Sequence, residues 1–329
     1  MNPADQPVSE VSRTPFQPEE SDDRIGLIAV GVKGASVLVP SVQIDGRTLI
    51  TTGRWLKTVC VQDEDLLEHE TVADPQSFIE RLRAAQLSAD LFTFAQRLHE
   101  TTARYSYHLE WDNFAVIPIT TYKDWWEKLI EPSVRRAVRK AAKSGIVVKS
   151  VEFDDAFVRG IVDINNETPV RQGKPFWHFH KSFEVVRAEH STYADRNAFL
   201  GAYYNDELVG YIRITYVGRS AHIIQILSKV RHLDKRPTNA LLAKAVELCE
   251  VMKMSRLVYC NYVYKDPNSS LTEFKKRNGF EKMLVPRYYI PLTTKGKVAL
   301  SLRLHRGLMH AMPQSLVAKA VKLRNRWYE

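Results

Sequence analysis

Apolar residues recur along the chain at spacings that divide it into short strand-like and helix-like segments. From Ile25 to Val61 the pattern is β-like: GLIAVGVKG, SVLVPSVQI and, after an Asp45-Gly46 turn, RTLITTGRWLKTVCV. Asp74 is placed to cap a helix that opens at Pro75 and runs through SFIERLRAAQ, after which LFTFAQR and YHLEWDNFAVIPI return to strand-like composition. KDWWEKL and PSVRRAVRKAAKSG read as helix, the second with Pro132 in its first turn and Gly145 as its stop, and IVVKSVEF reads as strand. DDAFVRGIVDINNETPV and FEVVRAEH have helical spacing. NAFLGAYY and ELVGYIRITYV flank an Asn205-Asp206 turn, AHIIQILSKV is a third strand, and PTNALLAKAVELCEVM is a long helix. SRLVYCNYV, SSLTEFKKRNGF and MLVPRYYIPL follow as strand, helix and strand. This order predicts an α+β fold built on a mixed sheet flanked by helices, and no short-period repeat is present.

With 329 residues and 37.8 kDa, the chain is long enough for two packed units or one enlarged one. The predicted organisation is an acidic, disordered segment 1–24, an N-terminal lobe 25–122, a second lobe 123–292 and a basic helical segment 293–329. The formal charge of +9 is unevenly spread. The first segment holds six acids (Asp5, Glu10, Glu19, Glu20, Asp22, Asp23) against Arg13 and Arg24, a composition of disorder. The last holds Lys295, Lys297, Arg303, Arg306, Lys319, Lys322, Arg324 and Arg326 against Glu329. No apolar run reaches the ~18 residues of a membrane span, and MNPADQPVSE lacks a signal-peptide core, so a cytoplasmic protein is expected. Cys60, Cys249 and Cys260, with no CxxC spacing and apolar neighbours, read as reduced core thiols.

The block from Arg135 to Lys149 places Arg135, Arg139 and Lys143 at steps of four, with Arg136 and Lys140 alongside. Like charges at that spacing repel, so the face is either solvated or matched by an anion such as tRNA phosphate, a pyrophosphate or acidic side chains of the first lobe. Leu300, Leu304 and Leu308, followed by Trp327 and flanked by cations, fit either a helix packed on the first lobe or a helix lying on anionic lipid at the inner membrane face. The fragment Gly31-Val-Lys-Gly34-Ala-Ser36 lacks the GK[ST] order of a phosphate loop.

The stretch from Asn268 through Leu271, Phe274 and Lys275 to Gly279-Phe280, with the strand and helix order before it, resembles the GNAT acyltransferase superfamily. RRAVRKAAKSGIVVKS ahead of it looks like the FemAB-related branch, which implies two GNAT-like lobes followed by the C-terminal helices. The resemblance implies an enzyme that transfers an acyl or aminoacyl group, from acyl-CoA or aminoacyl-tRNA, to an amine acceptor. A cell-envelope or polysaccharide precursor of acidic character is the expected kind of acceptor. No tightly bound cofactor and no metal is implied; His178 and His180 lack a third ligand.

In the superfamily two strands splay apart to hold the donor, here AHIIQILSK and SRLVYCNYV. Donor-binding residues would be Lys235, Arg236, Thr238, Asn239 and Asn268. The usual glycine steps are replaced by Leu-Asp-Lys-Arg-Pro-Thr-Asn, which removes the backbone amides that cradle a pyrophosphate. FemAB-like enzymes lack those glycines too and take their group from tRNA. Lys275 stands where the superfamily often has a tyrosine acid, leaving Tyr262 and Tyr264 as candidates for that role. The acceptor is expected near NNETPVRQGKPFWHFHKSFE, with Glu167 as the base and Arg171, Gln172, Trp177, His178 and His180 as binding residues. Cys260 as an acyl-accepting nucleophile is a minor alternative, and a degenerate GNAT-fold module binding anionic lipid or RNA is the non-enzymatic one.

Overall fold

The computed structural model describes residues 25–32, 35–68, 72–264 and 266–306. The acidic start of the chain and the basic tail beyond Arg306, with Leu308 and Trp327 of its expected surface-docking face, lie outside the described residues, whereas Leu300 of that face is buried and Leu304 half-buried. Asp45 and Gly46, at φ 52° and 67°, make the tight turn between β2 (Ala35–Ile44) and β3 (Arg47–Thr52), with β1 (Gly26–Val32) paired on the outer side of β2. RTLITTGRWLKTVCV is two strands rather than one. At Gly53, φ is 92° and a Cβ would lie 2.2 Å from the Leu56 carbonyl oxygen, so the chain folds back and β4 (Thr58–Val61) pairs antiparallel with β3.

A short 3₁₀ turn (Glu64–Leu66) leads on, and Asp74 caps α1 (Pro75–Ala84) by accepting from the amides of Gln76 and Ser77 at 3.1 and 3.4 Å. β5 (Leu91–Ala95) and β6 (His108–Pro118) precede α2 (Tyr122–Asp124), which runs into a π-helical turn over Trp125–Leu129. Then come α3 (Pro132–Lys143), β7 (Val147–Val151), α4 (Asp155–Asn165), a two-residue hairpin β8 (Val170–Arg171) and β9 (Lys174–Pro175), and α5 (Phe183–Ser191). The meander β10 (Asn197–Tyr204), β11 (Glu207–Val217) and β12 (Ser220–Ser228) turns between its first two strands at Asn205 and Asp206, φ 49° and 63°. α6 (Pro237–Val251), β13 (Arg256–Asn261), α7 (Ser270–Arg277), β14 (Glu281–Pro291) and α8 (Thr294–Ser301) complete the described chain. Among the described residues no helix is long and apolar enough to cross a membrane.

Twelve strands form one sheet in the order β1-β2-β3-β4-β5-β14-β6-β13-β12-β11-β10-β7. Its halves repeat one plan. In the first, β2 to β4 are antiparallel and α1 crosses over to β5, parallel to β4 over residues 58–60 and 91–93. In the second, β10 to β12 are antiparallel and α6 crosses over to β13, parallel to β12 over residues 220–222 and 256–258. The last strands are exchanged between the halves. β6 follows β5 in the chain yet pairs with β13, and β14 follows α7 yet lies between β5 and β6.

The cores follow the exchange. Ala115 and Ile117 of β6 pack with α3, α6 and β10 to β12, whereas Tyr288 and Ile290 of β14 pack with Leu49, Val59, Phe78, Leu82, Phe92 and Phe94. A cut at residue 122 therefore divides the chain but leaves each core short of a strand. Cys249 is buried and Cys60 half-buried, as core thiols; Cys260 is instead exposed, at φ 46°, where the register of β13 shifts between Val258 and Asn261.

Candidate functional site

The parallel pairing of β12 with β13 ends at His222 and Val258. Beyond it β12 continues to Ser228, while the irregularity in β13 carries Asn261 across to Phe114 of β6, so the two strands part. Cys260 and Tyr264 stand open to solvent at this parting, with Lys275 fully buried below them. Ser269 caps α7 and accepts from the amide of Thr272 at 3.2 Å, which turns Lys275 inward. Its ammonium donates to the Asn261 carbonyl and lies 4.7 Å from the ring centre of Tyr259 and 5.0 Å from that of Tyr264. Burial pulls the Lys275 pKa down to about 8, with Cys260 opposing. Although the ring is largely open to solvent, partial desolvation and then the neighbouring Cys260 push the Tyr264 phenol up, so it stays protonated at neutral pH. The Cys260 thiol is likewise raised by its surroundings, against the pull of Tyr264 and Lys275, which disfavours the thiolate a nucleophile needs.

Flanking the parting, α3, the start of α6 and α7 enclose a cavity of about 530 Å³. Arg136, Lys140, Arg236 and Arg277 line it, with Glu273 as its acid and Val134, Ala137 and Phe274 as its apolar wall. Arg277 is matched by Glu273 at 2.6 Å, which leaves Arg136, Lys140 and Arg236 as the cations facing the space. Two further cations of the helix are engaged within the protein. Arg135 donates to the carbonyls of Trp126 and Ile130 at 2.8 and 2.9 Å, and Arg139 lies over the Trp126 ring. The start of α6 is not an amide cradle. Pro237 has no N–H, and the amides of Asn239 and Ala240 return to the Arg236 carbonyl at 3.2 and 3.3 Å. Arg236 and Asn239 line the cavity; Lys235 instead lies over Tyr204, and Thr238 shares a 2.9 Å hydrogen bond with Ser228. Asn268 is exposed in the turn before α7, its amide donating to Asp266 at 2.8 Å, and Tyr262 is held against β6 by its amide on the Asn113 carbonyl.

The loop after α4 is organised for structure. Both oxygens of Glu167 accept from backbone amides, those of Val230 and, at 3.0 Å, Arg231, and so cap the 3₁₀ turn Val230–Lys235. A carboxylate so committed does not serve as a base. Arg171 donates to the carbonyls of Ser228 and Ile164 at 2.8 and 2.9 Å and stacks 4.4 Å from the centre of Phe176, so it joins α4 to β12 rather than awaiting an acidic acceptor. Gln172, at φ 51°, forms the β8–β9 turn with Gly173. His178 is wedged between Lys181 at 3.2 Å and Gln225 at 3.3 Å, and burial lowers its pKa to about 4, leaving it neutral. Trp177 and His180 are exposed, the latter fixed by its amide on Asn166 at 2.8 Å.

A second recess, about 60 Å³, lies where the first half's parallel pair ends. Glu64 and Asp65 after β4, Gln96 to His99 after β5, and Ser220 and His222 at the start of β12 line it. Arg287 of β14 is shared beneath it by Glu64 and by Asp112, the latter at 2.6 Å. Asp65 has no hydrogen-bond or ion-pair partner among the described residues. Sequence pattern alone does not single it out, because its neighbours come from β4, β6, β13 and β14. Desolvation in the recess and then the Glu64 charge raise its pKa to about 7, and its field reaches Cys260.

No family model and no curated protein matches the sequence. Among solved structures the fold is similar to the C-terminal domain of a putative lysylphosphatidylglycerol synthetase from Agrobacterium fabrum, at 12% identity over 79% of this chain and 87% of that one, TM-score 0.51. It is similar also to L-PGS from Bacillus licheniformis, at 13% identity over 78% and 85%, TM-score 0.53. A FemX structure aligns over 79% and 88% at 11% identity, TM-score 0.48. At these identities the likeness is one of fold. With its two repeated half-sheets and the parted strands of the second, the chain shares the overall fold of these synthetase domains.

Proposed function

We propose that the protein is an N-acyltransferase that takes an aminoacyl group from tRNA and delivers it to a primary amine. The observation that carries this reading is the cavity beside the parted strands, whose free cations are side chains of α3 and the start of α6 rather than a row of backbone amides. Such point charges suit a phosphodiester backbone, whereas the pyrophosphate of acyl-CoA lacks the cradle it would need. The synthetase domains of similar fold support a transferase class without naming this chain's acceptor. In the proposed reaction the amine nitrogen bonds to the acyl carbon and loses one proton to water, the ester C–O bond breaks, and the leaving ribose oxygen takes the Tyr264 proton, which the phenolate regains from solvent. Lys275, under the Tyr264 ring, steadies the phenolate left behind. Since Arg171 is tied to backbone carbonyls, the acidic character expected of the acceptor loses its support.

The test is a binding comparison on the full-length protein, by fluorescence anisotropy with deacylated tRNA and by calorimetry with acetyl-CoA. Saturable tRNA binding that weakens steeply with salt, and falls about tenfold in the Arg136→Ala/Lys140→Ala protein, is expected. Saturable heat with acetyl-CoA and none with tRNA would reverse the donor assignment. Charged, radiolabelled tRNA incubated with a panel of primary amines then measures transfer, which Tyr264→Phe should slow without changing tRNA affinity. Binding without transfer to any amine would identify a non-catalytic RNA-binding module instead.

A further inference from the structure

We infer that His108 and Glu110 of β6, with His305 of the C-terminal 3₁₀ turn (Leu304–Arg306), form a zinc site that fastens this turn to the middle of the sheet. The site is independent of the acyl-transfer reading. β6 meets β13 beside the parted strands at Phe114, so along β6 its ligands lie about 20 Å from that end, too far to touch a reacting group there.

Three observations support it. The first is convergence. His108 and Glu110 alternate with Leu109 along one strand, so their side chains leave the same face of the sheet, and His305 reaches them from the far end of the described chain. One nitrogen from each imidazole and one carboxylate oxygen all lie within 4.8 Å of one another. Both histidines turn Nε2 toward the same atom, His305 at 2.6 Å and His108 at 3.6 Å from Glu110 Oε1, and their rings stand nearly perpendicular, with centres 5.6 Å apart. Nitrogen and oxygen ligands around a tetrahedral zinc ion are about 3.4 Å from one another, a spacing these atoms reach by side-chain rotation. The second is a surplus of ligands. Arg306 already donates to Glu110 Oε1 at 2.7 Å and matches its charge; His305 adds a hydrogen bond, and His108 is too distant for one. Two imidazoles gathered on a carboxylate that a guanidinium has neutralised are a set of lone pairs that a divalent cation completes. Arg306 then orients the ligating carboxylate from outside.

The third observation is enclosure. The His305 side chain is only 2% exposed, and its Nδ1 is buried with no hydrogen-bond partner among the described residues, so the ring is committed to the cluster rather than to water. Tyr289, paired with His108 across β14, walls one side, its ring centre 4.8 Å from that of His305 and 6.3 Å from that of His108. His108 is 37% exposed and leaves a way in for the ion and for a water as fourth ligand. Two nitrogens and one oxygen select a borderline ion such as zinc over magnesium or calcium, which take oxygen.

The experiment takes the full-length protein, stripped with a chelator, and titrates it with Co²⁺ as a spectroscopic stand-in and with Zn²⁺ by calorimetry. One equivalent of Co²⁺ should give the intense visible bands of four-coordinate cobalt, which Zn²⁺ abolishes and Mg²⁺ does not. His108→Ala should lose the bands and weaken Zn²⁺ binding by about a hundredfold, while His178→Ala keeps both. Should His108→Ala not fold, His108→Phe, which retains the ring against Tyr289 and His305, takes its place. Zn²⁺ should also slow trypsin cleavage after Arg303 and Arg306 by about tenfold in the native protein and not in the His108 variant. Absence of the cobalt bands, or bands that survive the loss of His108, overturns the site. Zinc binding that depends on His108 but leaves the cleavage rate unchanged overturns its fastening role.

Discussion

Glu167 and Arg171 each satisfy backbone groups that would otherwise be orphaned, at one end of a 3₁₀ turn and between α4 and β12. Removing either side chain leaves those groups unpaired, so Glu167→Ala and Arg171→Ala should each lower stability by about 1–3 kcal/mol. Thermal or urea unfolding checks this, and an unchanged midpoint would deny them the anchoring role. Their residue types announced chemistry while their surroundings supply structure, which no spacing rule discloses. Lys275 was legible from its distance to Gly279, because α7 and its cap are local. Asp65 was not, because its altered basicity depends on Glu64, Arg287 and Asp112 meeting from separate strands.

Among the elements, α3 shows the same limit. Its ends at Pro132 and Lys143 follow from the proline, the glycine stop and the apolar spacing. The division of its cations follows only from what packs beside it. Arg135 and Arg139 turn to Trp126 and the π-helical turn, and Arg136 and Lys140 to the cavity. Arg135→Ala should therefore cost about 1–3 kcal/mol of stability, whereas Arg136→Ala should leave the unfolding midpoint in place and weaken only anion binding. Equal unfolding midpoints for the two variants would contradict this division. The hairpin of β3 and β4 escaped the pattern because Gly53 sits within a run of strand-forming residues, and the turn depends on a single positive φ.

At the scale of the molecule, the α+β order and its likeness to a tandem GNAT fold could be read along the chain, since each half's meander and crossover helix are local. The exchange of β6 and β14 could not, because both pairings join segments far apart in sequence. Tyr288 on β14 accepts from the Arg104 amide at 2.8 Å and fills the first core, and Ile117 on β6 fills the second. Neither half should unfold alone: urea titration followed by tryptophan fluorescence and by far-UV circular dichroism should give one coincident transition, and two separated ones would contradict the interlock. For the same reason a fragment ending at residue 122 should be insoluble or unfolded.

The interlock also orders events at the ribosome. β14 ends at Pro291 and supplies the inner strand of the half that begins at β1, so nearly the whole chain must be made before the first half can close. Until then β5 shows a bare edge and Phe92 and Phe94 lack their β14 cover. The nascent chain thus carries an unfinished sheet through most of its synthesis and depends on elongation speed, or on a chaperone at the tunnel exit, to keep that edge from pairing with another chain.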